Sequence, residues 1–220
     1  MAITITAFKW VPDFAQGYVR DLRPRWACEE IGLVYEERLI EGDPRPKSYF
    51  AEQPWGQVPV LDDDGVHLFE SGAILLHLAE KDETLMPRDP QGRATTISWL
   101  FAAFNSIEPF IFELNEIDIF SKDEEWATLR RPSLLDTLGG RLDRLADALG
   151  DKDYLTGTFS VADIAMATTL RDTGDTDLIP NRPALATYVE RCLARPGFQK
   201  AHGDQLAAFK GNAPEAERAA

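Results

Sequence analysis

Cysteine is scarce in this sequence: 220 residues contain two, Cys28 and Cys192. They form no C-x-x-C pair and no metal-ligand spacing, which argues against a disulfide framework and points to a reducing compartment. Histidine is nearly as rare, with His67 in a strand, His77 in a helix and His202 near the end, so no metal site is expected. No apolar run approaches the ~20 residues of a membrane span. The opening Met1-Ala2-Ile3-Thr4 has neither a basic nor an apolar signal region, and no secretory leader is expected. Positive charge is also short. Twenty-three Lys and Arg against 37 Asp and Glu give a formal net charge of −14. That disfavours nucleic acid or an anionic membrane as the main partner, while a local anion site remains open. A soluble cytoplasmic protein is expected, and its 44% hydrophobic content suffices for a real core.

What the chain does contain divides into two kinds of pattern. Ile3 to Phe8 alternates as a half-buried strand does, and Tyr35 to Ile40 forms a second strand. Between them Val19 to Ile31 has helical character, with Gly32 as its stop. Lys47 to Glu52 is expected as a short helix. Asp64-Gly65 is a hairpin signal joining Val60-Leu61 to Val66–Phe69, and Ser71 to Lys81 closes the unit as a helix. The order β-α-β-α-β-β-α fits a thioredoxin-like domain over residues 1–82, with Pro- and Gly-containing residues 83–92 as linker. Residues 93–210 are expected to be all-helical, and 211–220 to be a frayed tail. Within the helical part, Pro109 is expected to kink or end the first helix. Leu134, Leu135, Leu138, Leu142, Leu145 and Leu149 repeat at helical spacing, as do Leu185, Val189, Cys192 and Leu193. Ser160 and Asp163 form an S-x-x-D capping box.

Two stretches of the first domain suggest a ligand site. Gln57-Val58-Pro59 enters a strand through an X-Pro bond, the kind in which a cis isomer is cheap. A cis bond there turns the N–H and C=O of Val58 outward, where an extended peptide can pair with them as an added strand does. Glu70-Ser71 leads into a helix, with Ser71 as the expected N-cap; the helix start suits a carboxylate and Glu70 suits an ammonium group. Together they describe a receptor for a short zwitterionic peptide, although the residues alone also fit an ordinary strand, hairpin and capped helix.

The run QPWGQVPVLDDDG followed by LFESGAILLHLAEK resembles the glutathione-binding signature of the glutathione S-transferase family, and the Ser160–Asp163 stretch resembles the capping motif of that family's helical domain. The resemblance spans roughly residues 3–198. It implies a glutathione transferase architecture, glutathione as co-substrate rather than a resident cofactor, a small apolar electrophile as second substrate, and a homodimer. Carried over residue by residue, Glu70 and Ser71 bind the γ-glutamyl end, Val58 before Pro59 pairs with the cysteinyl main chain, and Gln57 and Lys47 stand near the glycine carboxylate. An apolar substrate pocket over Tyr18 is lined by Trp99, Phe101, Phe104 and Asn105.

The residue facing sulfur is less plain. Several classes of the family place a Ser or Cys five positions before an Arg-x-Arg run; five before Arg23-Pro24-Arg25 stands Tyr18. Others use a Tyr at the end of the first strand, where this chain has Phe8, Trp10 and Pro12. Tyr18 is the candidate hydroxyl, Arg20 the alternative as a cation, and Gln16 a further donor; Tyr18 as a loop aromatic is the plain alternative. Lowering a thiol from about pH 8.5 by two units takes roughly 2.7 kcal/mol, within reach of one hydrogen bond to a charged acceptor. Cys28 lies inside the helix and reads as core, so disulfide exchange is disfavoured. A non-catalytic ligand-binding protein, or a glutathione-dependent isomerase or peroxidase, remains possible on the same fold.

Overall fold

The structure, a computed structural model, describes residues 3–174 and 176–214. Residues 1–2, 175 and 215–220, and with them most of the expected tail, lie outside the described part. The described residues pack as two compact units, one from residues 3–85 with 195–214, the other from those within 86–194.

The first unit is built on a four-stranded sheet. β1 (Ile3–Phe8) pairs in parallel with β2 (Tyr35–Ile40) and antiparallel with β3 (Val60–Asp63), which pairs antiparallel with β4 (Val66–Phe69), giving the order β2-β1-β3-β4. A parallel pair needs a crossover, and α1 (Leu22–Glu30) supplies it between β1 and β2. The β3–β4 turn has Asp64 at φ 49° and Gly65 at φ 87°, both in the left-handed region that a tight hairpin requires. α2 (Ser71–Ala79) follows β4 and packs on α1. Ile5, Trp26, Leu61, Ile74, Leu75 and Leu78 form the dry centre. This is the thioredoxin-like fold that the alternation and the turn signals predict.

The unit also holds α8 (Pro196–Gly211), which packs along α1. The expected helical domain of 93–210 therefore loses its last helix to the first unit. Arg195 forms a fork of hydrogen bonds to Glu30, at 2.8 and 2.6 Å, and Trp26 meets Phe198 edge-on at 5.0 Å. Neither contact has a spacing signature, since each joins residues far apart in the chain.

The second unit is helical: α3 (Pro90–Ala102), α4 (Glu108–Asn115), α5 (Glu125–Leu149), α6 (Val161–Leu170) and α7 (Pro183–Leu193). The expected linker is shorter than 83–92, because α3 starts at Pro90. Asp89 caps it, accepting from the Gly92 N–H at 2.8 Å, and a proline at the first helical position loses no hydrogen bond. As expected, the first helix breaks before Pro109: α3 gives way to a widened π-turn, Ala103–Ile107, and Pro109 stands in the first turn of α4, where its missing N–H costs no hydrogen bond; Arg141 donates to the Ser106 carbonyl at 3.0 Å. α6 is the buried axis, packed against α3, α4 and α7. Its capping box is present: Asp163 accepts from the Ser160 N–H at 2.9 Å and also from Leu155 N–H and Tyr188 O–H, each at 3.0 Å. Leu134, Leu138, Leu142, Leu145 and Leu149 give α5 its buried stripe. Each such side chain contributes roughly 1.5–3 kcal/mol of burial.

Candidate functional site

The strand entry at Val58 is fixed from both sides. Gln53 is buried, and its Oε1 accepts from the N–H groups of Trp55 at 2.6 Å and Gln57 at 3.2 Å. Tyr49, also buried, donates its hydroxyl to the Gln57 carbonyl at 2.7 Å. Burial pushes the Tyr49 phenol up to about 12, so it remains a donor at neutral pH. Gly56, at φ 64°, has no room for a Cβ, which would sit 2.7 Å from the Phe50 ring. The Val58–Pro59 peptide is cis, and Val58 packs with Tyr49 and Val60 beneath Phe8, Val19 and Ile40. Gln57 and Lys47 are exposed.

The helix entry differs from expectation by one residue. Ser71 is not the N-cap of α2; Glu70 is, at φ 69°. The carbonyl of Glu70 accepts the first helical bond, from the Ile74 N–H at 3.0 Å. The chain leaving β4 needs one left-handed residue to turn into the helix, and Glu70 takes it. A non-glycine residue there costs on the order of 1–3 kcal/mol, and such positions cluster at ligand clamps. Ser71 thus falls at the first helical position. Its hydroxyl accepts a hydrogen bond at 3.1 Å from Nη1 of Arg23, a buried residue of α1.

Tyr18 and Arg20 lie on the turn before α1. Tyr18 is 46% exposed and its N–H donates to the Ala15 carbonyl at 3.0 Å. Gln16 spends its amide hydrogens within its own loop, on the Val11 carbonyl at 3.1 Å and the Asp13 carboxylate at 2.9 Å. It is therefore not arranged as the donor to sulfur that the sequence suggested. The turn is anchored by Val19, which packs on the Val58 cluster, and by Gln205 of α8, whose Nε2 donates to the Val19 carbonyl at 3.1 Å and to Asp21 at 2.9 Å. Asp21 is buried and pairs with Arg25 at 2.6 Å; burial raises its carboxyl, opposed first by the Arg25 charge. Two contacts gather the site: Val19 brings the Tyr18–Arg20 turn to Val58, and Arg23 ties α1 to Ser71.

Cys28 is fully buried in α1, where burial pushes its thiol up to about 12. It is protonated at neutral pH and serves the core.

The four aromatic-pocket candidates do not form one cluster. Trp99 lines a cavity of about 200 Å³ with Ala102, Ile107, Arg141, Leu145 and Met166. Phe101 is half exposed and Asn105 exposed, with Phe104 between them at helical spacing. The signals missed in the sequence are Arg23, Gln53 and Tyr49. Arg23 and Gln53 stand inside quoted motifs; the Ser71 partner of Arg23 lies across the fold, whereas Gln53 bonds within its own motif.

Residues 14–80 match the family model for the glutathione S-transferase N-terminal domain. A glutathione S-transferase of Arabidopsis thaliana is 30% identical over 192 residues, covering 80% of this chain and 76% of that protein. One from Escherichia coli O157:H7 is 31% identical over 174 residues, covering 76% and 81%. Among solved structures, a glutathione transferase from Burkholderia graminis with two glutathione molecules per subunit superposes with a TM-score of 0.80 at 24% identity, over 91% of this chain and 87% of that one. The sheet, the helical unit and these likenesses define a two-unit thiol-peptide transferase fold. The chain belongs to the glutathione S-transferase family. Among the described residues no helix is long and apolar enough to cross a membrane.

Proposed function

We propose that the chain transfers glutathione, through its thiolate, to small and largely apolar electrophiles in the cytoplasm, acting as a homodimer. One observation carries the reading beyond the family assignment. The turn bearing Tyr18 and Arg20, the strand entry at Val58 and the helix start at Ser71 are tied together by Val19 and Arg23. In this reading Glu70 takes the γ-glutamyl ammonium and Ser71 its carboxylate. Val58, before Pro59, pairs with the cysteinyl main chain, and Gln57 with Lys47 receives the glycine end. Tyr18 donates to the sulfur and Arg20 supplies positive charge beside it. Phe101, Phe104 and Asn105 are the side chains proposed to meet the second substrate; Trp99 belongs to the separate cavity described above.

The test joins binding, ionisation and turnover. Calorimetry with reduced glutathione should show binding, and the ultraviolet band of the thiolate should appear near neutral pH. Tyr18→Phe should reduce the thiolate fraction by about 10- to 100-fold, the equivalent of one hydrogen bond to a charged acceptor, while glutathione affinity holds within about threefold. Arg20→Ala should reduce it less, since a partly exposed charge is screened. Binding without a thiolate band or turnover on a panel of electrophiles and hydroperoxides would make the chain a non-catalytic binder, and absence of binding would end the proposal.

A further inference from the structure

α8 does more than cover α1. Phe198, Ala201, Gln205 and Phe209 form its buried stripe, at the spacing of one helix face. His202 and Leu206, four residues apart, stand beside that stripe and meet the turn that precedes α1. The meeting point is Gly17, the residue before Tyr18. A Cβ on Gly17 would sit 2.6 Å from Nε2 of His202 and 3.7 Å from Cδ2 of Leu206, so the imidazole edge lies directly against the main chain. The imidazole is backed in turn. It stacks on Phe198, with centroids 5.3 Å apart and planes 13° from parallel, and Phe198 meets the fully buried Trp26 edge-on at 5.0 Å. On the far side of Tyr18, Gln205 holds the Val19 carbonyl at 3.1 Å. Helix α8 thus grips the chain at Gly17 and at Val19, and Tyr18 is the residue between the two grips.

We propose that His202 is a positioning residue for Tyr18: its ring, set between Phe198 and Gly17, fixes the peptide from which the Tyr18 side chain projects and so aims that hydroxyl at the glutathione sulfur. The Tyr18 side chain is 46% exposed, so packing constrains it less than it would a core residue, and the set of its backbone counts for more. A hydrogen bond weakens steeply as its angle departs from linear, and a small rotation of the turn is enough to lose it. The contribution of His202 is shape, not charge. Its stack with Phe198 carries the rigidity of the Trp26 core out to the turn. This role rests on the reading of Tyr18 as the donor to sulfur, and it adds to that reading the residue that holds the donor in place.

The thiolate band of bound glutathione near neutral pH, read together with calorimetric affinity and steady-state rates, decides it. His202→Ala should lower the thiolate fraction and kcat by about five- to 20-fold, inside the roughly 100-fold that a displacement of about 1 Å can cost. Glutathione affinity and KM should hold within about twofold, because the Val58 and Ser71 contacts are made by other elements. His202→Gln, whose planar amide reaches the place of Nε2, should recover most of what the alanine loses. In a Tyr18→Phe background, His202→Ala should change the thiolate fraction by less than about twofold, the non-additivity of a residue that acts through another. An equal loss with and without the Tyr18 hydroxyl overturns the proposal, as does an unchanged thiolate fraction in His202→Ala. A loss of glutathione affinity that matches the loss of thiolate also overturns it, since His202 would then serve the fold alone. A parent without a thiolate band, or a Tyr18→Phe variant that keeps the full band, defeats instead the reading of Tyr18 beneath it.

Discussion

Asp63, the last residue of β3, accepts from His77 Nε2 and Lys81 Nζ, each at 2.6 Å, and so ties the hairpin to α2 and the turn beyond it. Its side chain is 10% exposed. The Lys81 hydrogen bond, against a desolvation cost, holds the Asp63 carboxyl below its ordinary range, with His77 helping. A carboxyl with a lowered folded-state pKa stabilises the protein above its unfolded value of about 3.9, and that contribution fades as pH falls through the folded value. Asp63→Asn is expected to cost about 1–3 kcal/mol at neutral pH, the range for hydrogen bonds to charged groups. Urea unfolding followed from about pH 7 to pH 3 should show the parent and variant converging only below about pH 4. Parallel curves over that range would remove Asp63 as the titrating link. At the residue scale the N-cap of α2 moves from the expected Ser71 to Glu70, because a left-handed residue at Glu70 follows from where β4 ends and not from composition. Arg23 was seen as one member of a run; its partner lies 48 residues away, and no periodicity connects them.

At the scale of elements the legible parts were those with a local cause. β1 follows from alternation, the hairpin from Asp64-Gly65, and α6 from Ser160 and Asp163 at capping distance. Proline misled once, since a missing N–H costs nothing at the start of α3; the break of the first helix before Pro109 was legible. The placement of α8 was not legible. Its polar anchors are single residues, and a Pro-Gly pair at the start of a helix looks the same whichever unit the helix joins. Gln205 is the chief of these anchors. It is fully buried, its Nε2 serves both Asp21 and the Val19 carbonyl, and its Oε1 has no hydrogen-bond partner among the described residues. Gln205→Leu leaves a buried carboxylate and a buried carbonyl short of a donor, at an expected cost of about 2–4 kcal/mol. The loss is softened because the leucine also removes the orphaned Oε1. Chemical denaturation measures it, and a change below about 0.5 kcal/mol would mean that Arg25 alone satisfies Asp21. The same variant should loosen the turn carrying Tyr18, lowering kcat more than it raises KM for glutathione.

For the molecule as a whole, charge is the property that reaches furthest. A net charge of −14 and a pI near 4.6 surround a site proposed to take glutathione, itself anionic at neutral pH through two carboxylates and one ammonium group. The two scales of electrostatics then oppose each other. Within the proposed site the short-range contacts to Val58, Glu70 and Ser71 decide affinity and are little screened by salt. Beyond about 10 Å the summed acidic field dominates, and it repels the approaching ligand when the Debye length is long, about 30 Å at 0.01 M salt against about 8 Å at 0.15 M. Association should therefore speed up as salt is raised between those two concentrations, by about two- to fivefold, while dissociation changes little. This is the reverse of the behaviour of a protein that steers an anion through a basic surface. Stopped-flow quenching of tryptophan fluorescence on mixing with glutathione gives both rates. A glutathione monoester, with no net charge, serves as the control and should associate at nearly the same rate in both salts. An association rate that falls with salt would mean that a local positive field governs the approach, and the acidic surface would then have no part in capturing the ligand.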